Sequence, residues 1–499
     1  MEKKKYYITT PIYYINDIPH VGHAYTTIAA DILSRYYKAK GEDVFFLTGV
    51  DEHGAKIVEA AKKAGLEPKV FADSLVPRFQ EAWKNLNIEY SEFFRTTDPK
   101  HEEIVKKLIL DLKTKGYIEK KKYTGLYCTA CEKFLLPDEL VDGCCPDHGT
   151  KPEEHSEENY FFLLSKVAKE KDLLGVIERG ELVVEPLSRK NEVLGKIKQG
   201  LEDVSISREK VEWGIPFPGD ETQTIYVWID ALINYYSAEF IYFSDRHSRE
   251  DGNPLKEDPR LRGDDYVVWP PDIHLMAKDI LWFHAIIWPA MLLALDLPLP
   301  KKVFAHGFFT VGGQKMSKTR GNVLDPNKLV EKFGADAVRY ALLREFPFGE
   351  DGDISEEKIA ARYQSELSNG LGNLVQRTIS MMNKYGCHPE LDSESRGIPK
   401  RVRNDKANKL IEELKFDQAL QEIAGEVTKL NQYIEENKPW ELAKSNQEKL
   451  SEVLGFVLQS LDSLVPCLFP FMPETVQKMK KQLETLEPEP LFPRIEPDK

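Results

Sequence analysis

The sequence predicts an α/β protein: a doubly wound parallel sheet, split by an inserted domain and followed by an α-helical bundle. Three observations predict it. Short β-prone runs separated by helical stretches occupy the first 115 residues and resume near residue 226. Residues 116–225 interrupt that alternation with a cysteine cluster and a Lys/Glu-rich polar stretch. From Ser355 onward the apolar residues recur at helical spacing.

In order, Tyr6-Tyr7-Ile8-Thr9-Thr10 reads as the first strand. A loop with Pro11 and Pro19 follows, and a helix begins near His20. Val44-Phe45-Phe46-Leu47-Thr48 reads as the second strand, ended by Gly49. After the insertion come Thr224–Trp228, Asp272–Leu275 and Val303–Ala305. In such a sheet ligands bind beyond the carboxyl ends of the strands. In the helical part, Ala419, Leu420, Ile423, Val427, Leu430 and Ile434 share one face, as do Leu450, Val453, Leu454, Val457, Leu461 and Leu464. Pro439 should break the helix between them. The expected divisions are 1–115, 116–225, 226–300, 301–354 and 355–499.

At 499 residues, 41% hydrophobic and 30% charged, the chain has the means to bury large cores and is not a disordered one. The net charge of −14 is unlike that of a general nucleic-acid coat, though it permits one RNA partner on a local basic patch. No run approaches the roughly 18 uninterrupted apolar residues of a membrane span. The N-terminus enters a strand-like run with no signal-peptide core, so a cytosolic protein is expected. Cys387 and Cys467 are isolated, whereas Cys128, Cys131, Cys144 and Cys145 lie within 18 residues, a clustering that favours metal over disulfides.

Two short motifs carry chemistry. Pro19-His20-Val21-Gly22-His23 lies between the first strand and its helix, where free N–H groups and the macrodipole attract anions. Two His three residues apart can both reach a polyphosphate, and Gly22 lets a flat ring approach the backbone. Alone, these residues are better read as a turn with two incidental His. Lys315-Met316-Ser317-Lys318-Thr319 follows Val311-Gly312-Gly313-Gln314. Two lysines on such a loop can neutralise charge on a leaving pyrophosphate, although most short Lys clusters are only solvated loops. A third pattern is Cys128-Thr129-Ala130-Cys131, followed after 13 residues by Cys145-Pro146-Asp147-His148. Paired C-x-x-C/H units at this separation point to tetrahedral zinc. Cys144 could replace Cys145, with Asp147 as fourth ligand.

Together the first two motifs resemble the pair that defines class I aminoacyl-tRNA synthetases, His-Ile-Gly-His and Lys-Met-Ser-Lys-Ser. The chain departs only at Val21 and Thr319. About 290 residues separate the motifs, which leaves little room for the editing insertion of the Leu, Ile and Val enzymes. The pocket segments are instead similar to the methionyl-tRNA synthetase family: Thr10–Asn16, Thr48–Gly54, Val227–Ala231 with Tyr235, and Lys278–Ile280 with Phe283-His284.

That resemblance implies a Rossmann-type catalytic domain in two halves, a connective insertion with a zinc knuckle, a stem-contact region around the Lys loop, and an anticodon-binding bundle. It implies ATP-dependent ligation of L-methionine to tRNA through methionyl-adenylate, with release of AMP and pyrophosphate. His20, Gly22 and His23, with Lys315, Met316, Ser317 and Lys318, would bind ATP, accompanied by Mg²⁺. His20, His23, Lys315 and Lys318 would carry catalysis. Ile12, Tyr14, Asp51, Trp228, Tyr235, Asp279, Ile280 and His284 would hold methionine, whose polarizable thioether favours aromatic walls. Taken singly, each aromatic is as well explained by core packing.

The resemblance also favours Cys128, Cys131, Cys145 and His148 as ligands of one structural Zn²⁺. Asn373, Arg377 and Trp440 match positions at which the family reads its anticodon, although Trp440 alone reads as a buried anchor between helices. Implied partners are tRNA(Met), including the initiator, with methionine and ATP; no membrane is expected, and a monomer is. The rivals are a class I synthetase for another amino acid, a non-catalytic tRNA-binding paralogue, and a nucleotidyltransferase sharing only the fold.

Overall fold

The computed structural model describes residues 4–129, 133–135, 140–146, 149–209, 211–247, 268–315, 323–386 and 405–495. β1 (Lys5–Tyr14) leads through the helix Val21–Ala39 to β2 (Asp43–Asp51). Two helices, Ala55–Ala64 and Pro68–Asn85, lead on to β3 (Glu92–Arg95), and the helix Pro99–Thr114 follows. The insertion opens with β4 (Ile118–Cys128), β5 (Lys133–Leu135) and β6 (Glu153–Phe162). It continues with β7 (Val183–Glu185), β8 (Val204–Ser205), β9 (Ser207–Arg208), β10 (Pro216–Phe217) and β11 (Asp220–Ile225). The long helix Val227–His247 then returns the chain to β12 (Ile273–Ala277) and β13 (Lys302–His306). β14 (Phe309–Val311), β15 (Gln314–Lys315) and β16 (Gly352–Asp353) make a small separate sheet.

Six strands form the main sheet, all parallel, in the order β3-β2-β1-β12-β13-β7. The strands read as continuous apolar runs because both faces are covered. Ile8, Phe46, Leu275 and Phe304 face one core, and Tyr7, Phe45, Met276 and Val303 the other. From β1 the chain winds outward to β2 and β3 on one side and to β12 and β13 on the other. The switch point therefore lies between β1 and β12, and a crevice opens beyond their carboxyl ends.

Four details differ from the sequence reading. Thr224 and Ile225 end β11 of the insertion and Val227-Trp228 already open the long helix, so Thr224–Trp228 adds no strand to the main sheet. β1 does not stop at Thr10 but runs to Tyr14, with a register shift between Thr9 and Ile12. Pro11 has no N–H for the ladder, so the strand bulges there and resumes. Gly49 does not end β2: a Cβ there would sit 2.2 Å from the Phe94 carbonyl oxygen, so glycine permits the close approach of β3. β7, within the stretch expected as an insertion, pairs with β13 as the sixth strand of the main sheet. The remaining insertion strands form an antiparallel sheet, β5-β4-β6-β8, and a smaller one, β10-β11-β9.

The C-terminal helices include Asn373–Tyr385, Phe416–Asn437, Gln447–Leu468 and Pro473–Thr485. Their apolar faces join the same core as Ile8 and Phe46, so bundle and sheet share one hydrophobic interior. Pro439 begins a new helix, Pro439–Ser445, after Lys438 turns at φ +46°. Gln447–Leu468 is long and apolar enough to cross a membrane by length and composition. Its Leu450, Val453, Leu454, Val457 and Leu461 are buried within the bundle, as in a core helix.

Candidate active site

A cleft of about 510 Å³ opens at the switch point. Ile12 and Tyr14 from β1, His20, Gly22 and His23 from the first helix, and Asp51 from the end of β2 line one side. Trp228, Tyr235, Asp279, Ile280 and His284 line the other. Every residue expected around methionine thus borders one space.

His20 caps the helix Val21–Ala39. Its Nδ1 accepts the Gly22 N–H at 3.0 Å, and His23 Nδ1 accepts the His20 N–H at 3.3 Å. The rings stack 3.8 Å apart, 19° from parallel. An Nδ1 that accepts leaves the proton of a neutral imidazole on Nε2. Both Nε2 atoms are therefore donors at a helix N-terminus, which suits phosphate oxygens.

On the opposite wall, Trp228 lies flat on Phe283, with centroids 4.0 Å apart and planes 8° apart. His284 Nδ1 is 3.0 Å from the Ile280 carbonyl, which can only accept, so Nδ1 carries the proton. His284 Nε2 then accepts the Tyr235 hydroxyl at 2.7 Å. Burial pushes the His284 pKa down to about 4, which keeps the ring neutral at physiological pH. The result is an apolar, aromatic slot with one oriented hydroxyl, shaped for a slender soft group.

The second motif reaches the same cleft through its flanks. Phe309 and Val323 line the cleft, and the Val21 N–H donates to the Leu324 carbonyl at 3.1 Å. Lys315 ends β15, paired with Thr310 of β14. Its side chain, with Met316, Ser317 and Lys318, lies outside the described residues.

In the insertion, Cys128 and Cys145 are both buried and pack together with Leu135. Cys144 is half-buried, and its backbone exchanges hydrogen bonds of 3.0 Å with Val141. Cys131, Asp147 and His148 lie outside the described residues. Buried adjacent thiols suit a soft, tetrahedral cation such as zinc.

In the bundle, Asn373 is exposed and Arg377 half-buried on the same helix. The Arg377 guanidinium lies 5.3 Å from the Trp440 ring centroid and pairs with Glu435 at 2.6 Å. Trp440 is half-buried rather than enclosed, with its ring at the edge of the core.

Some cleft residues were not singled out from the sequence. His306, at the end of β13, accepts the Thr26 hydroxyl at Nε2 (2.6 Å) and donates from Nδ1 to the Gly307 carbonyl (2.7 Å). Burial lowers its pKa to about 4. A His closing an apolar strand was the available signal. Lys56 and Leu232 also line the cleft, and nothing local in the sequence marks them.

A parallel sheet with a phosphate-suited helix N-terminus at its switch point, a Lys motif whose flanking residues Phe309 and Val323 border the same cleft, and a helical C-terminal bundle define a class I tRNA synthetase. The family model described as tRNA synthetases class I (M) matches residues 6–151 and 147–379. A methionine–tRNA ligase of Caldanaerobacter subterraneus is 45% identical, over 97% of this chain and 75% of that protein. One of Streptomyces coelicolor is 42% identical, over 95% of this chain and 89% of its own length. The solved structure of Mycobacterium tuberculosis methionyl-tRNA synthetase in complex with methionyl-adenylate superposes with a TM-score of 0.88 at 35% identity, covering 98% of this chain and all of that one. The apo form of that protein gives 0.81 at 31% identity. The chain belongs to the methionyl-tRNA synthetase family.

Proposed function

We propose that this enzyme ligates L-methionine to tRNA(Met), the initiator included, in two steps. The methionine carboxylate attacks the α-phosphorus of ATP, forming methionyl-adenylate and expelling pyrophosphate. A ribose hydroxyl at the tRNA terminus then attacks the adenylate carbonyl, forming the ester and releasing AMP. Neither step needs a protein nucleophile, so catalysis comes from positioning and charge stabilisation.

The observation that carries this reading is the pairing, in one cleft, of two imidazole donors at a helix N-terminus with an aromatic slot. Asp51 meets the substrate ammonium and Asp279 the ribose or amino group. Ile12, Tyr14, Trp228, Tyr235, Ile280 and His284 enclose the side chain. His20 and His23 hold phosphate oxygens over Gly22, and Lys315 and Lys318, with Met316 and Ser317 between them, meet the leaving pyrophosphate. Mg²⁺ bound with ATP neutralises part of the triphosphate charge.

Cys128 and Cys145, with Cys131 and His148, hold a zinc that cross-links the insertion and plays no chemical part. Asn373, Arg377 and Trp440 read the anticodon by base-edge bonds and stacking, the means by which proteins read single-stranded RNA loops. The enzyme works in the cytosol as a monomer. The methionyl-adenylate held by the Mycobacterium tuberculosis relative supports the intermediate.

ATP–pyrophosphate exchange across all twenty amino acids tests the reading. Methionine should exceed every other amino acid by far. Strong exchange with leucine or cysteine and none with methionine would overturn it.

A further inference from the structure

Behind the cleft wall lies a second layer of polar groups. Asp230 is buried in the first turn of the helix Val227–His247. Each of its carboxylate oxygens meets an imidazole: Oδ2 is 2.7 Å from His53 Nδ1, and Oδ1 is 2.7 Å from His101 Nε2. Both imidazoles are buried too. His101 Nδ1 continues to the Ser237 hydroxyl at 2.7 Å, which donates to the Ile233 carbonyl at 3.1 Å on the same helix as Asp230. Burial raises the Asp230 pKa, and the His53 and His101 imidazoles more than reverse that, so the carboxylate is held ionised.

These three side chains come from three elements: the loop after β2, the helix Pro99–Thr114 and the helix Val227–His247. The first and third also build the cleft. Asp51 lines the cleft two residues before His53, and the His53 N–H approaches Asp51 Oδ1 at 3.4 Å. Trp228, Ala231 and Tyr235 line it from the same helix as Asp230. The loop is clamped from other sides as well. Glu52 takes a two-point contact from Arg95 at 2.5 and 3.0 Å, and the Gly54 N–H donates to the Trp213 carbonyl at 3.0 Å. The His53–Asp230 contact ties this loop to the helix of the aromatic wall.

We infer that the His53–Asp230–His101 network is a positioning device: it sets the Asp51 carboxylate against the helix bearing Trp228 and Tyr235, and thereby sets methionine affinity. It rests on the reading that Asp51 meets the methionine ammonium. None of its members borders the cleft, so it acts through Asp51 and the helix rather than on substrate.

The test is ATP–pyrophosphate exchange with methionine and ATP varied separately. Asp230→Ala should raise the methionine KM about tenfold or more and leave the ATP KM within about twofold. Asp230→Asn should recover most of the loss, because its oxygen accepts from His53 and its amide donates to His101. The Asp230→Ala effect should largely vanish on an Asp51→Asn background, since coupled residues are not additive. Equal rises in both KM values, or fully multiplicative effects with Asp51→Asn, would overturn the inference while leaving the role of Asp51 intact. An unchanged methionine KM in Asp51→Asn alone would instead overturn that role, and the inference with it. Should Asp230→Ala not fold, His53→Ala cuts only the link nearest Asp51. It should show the same methionine-specific rise, and a folded His53→Ala with an unchanged methionine KM would equally overturn the inference.

Discussion

Arg339 Nη2 and Asp31 Oδ2 stand 2.6 Å apart, and neither side chain reaches solvent. Asp31 lies on the helix that begins with His20, and Arg339 on the helix Ala335–Arg344. Arg339 also donates to the carbonyls of Leu86, Pro470 and Phe471 at 3.1, 2.8 and 2.9 Å. One guanidinium thus joins the helix of the phosphate motif, the turn before β3 and the turn that follows the bundle helix Gln447–Leu468. Arg339→Met should lower stability to urea by about 3–5 kcal/mol, because it strands buried acceptors and part of a buried charge. Arg339→Lys should recover little, since one ammonium lacks the forked geometry. A loss below about 1 kcal/mol would contradict this account.

The bond from Tyr235 to His284 yields a prediction about methionine itself. Tyr235→Phe leaves the buried His284 Nε2 without its donor and removes the hydroxyl that orients the ring. The cost of such an unmet acceptor is about 1–3 kcal/mol, or roughly 5- to 150-fold in kcat/KM for methionine. The ATP KM should be unchanged, because the His20 and His23 donors proposed to hold the phosphates line the opposite side of the cleft. Exchange kinetics with each substrate varied will show it. Equal losses for ATP and methionine would contradict it.

The residues of this site differ in how far the sequence exposed them. His20, His23 and the pocket segments were legible because each sits at a strand end or helix start, where local patterning locates it. The chain then had only to bring those ends together, which a doubly wound sheet does. β1 and β2 were cut short because Pro11 and Gly49 look like terminators, whereas one sits in a bulge and the other admits a neighbouring strand. β7 was missed since three residues carry no periodicity. His53 and Asp230 lie inside the pocket segments Thr48–Gly54 and Val227–Ala231, but their joining through His101 was not legible, because the bonds span 129 and 177 residues.

The zinc assignment makes a sharp contrast between neighbours. Cys145 is buried beside Cys128, whereas Cys144 is half-exposed and engaged through its backbone. Metal analysis of Cys128→Ser and Cys145→Ser should show zinc lost from the chain. Cys144→Ser should keep one zinc per chain. Zinc lost from Cys144→Ser but kept by Cys145→Ser would reverse the choice between them.

Acid should destabilise the fold well before its carboxylates titrate. Burial holds His284 and His306 at about 4, and His274 well below its ordinary value of 6.5. Below pH 6.5 the unfolded chain takes up protons at these positions and the folded chain does not, so stability falls as pH falls. Each such imidazole contributes about 1.4 kcal/mol per pH unit in that window. His53 works the other way: burial lowers its pKa, Asp230 outweighs burial, and the folded state gains protons. Three groups against one give a net loss. The melting temperature should drop from pH 7.5 to 5.5, and His306→Gln should flatten that dependence. A melting temperature that holds or rises on acidification would contradict this.

The contact between Arg377 and Trp440 separates the two ends of the molecule. Arg377 lies 5.3 Å from the indole centroid and is held by Glu435, while Asn373 stands exposed one turn earlier. The cleft residues lie on the main sheet and the helices beside it, not on the bundle helices that bear Arg377 and Trp440, and adenylate formation needs only methionine and ATP. Trp440→Ala should therefore leave ATP–pyrophosphate exchange near the wild-type rate and lower kcat/KM for tRNA aminoacylation. A lost base stack costs roughly 1–3 kcal/mol, or about 5- to 150-fold in that ratio. Arg377→Ala should do the same and also relax discrimination among anticodons, because base-edge contacts carry the sequence information. Glu435→Gln releases the guanidinium from its carboxylate and should weaken cognate tRNA far less than Arg377→Ala does. If Trp440 serves only as a packing anchor, the outcomes change. Its removal would then lower the melting temperature and impair every tRNA alike, with anticodon preference intact. Aminoacylation of wild-type and anticodon-altered tRNAs by the same variants decides between the two.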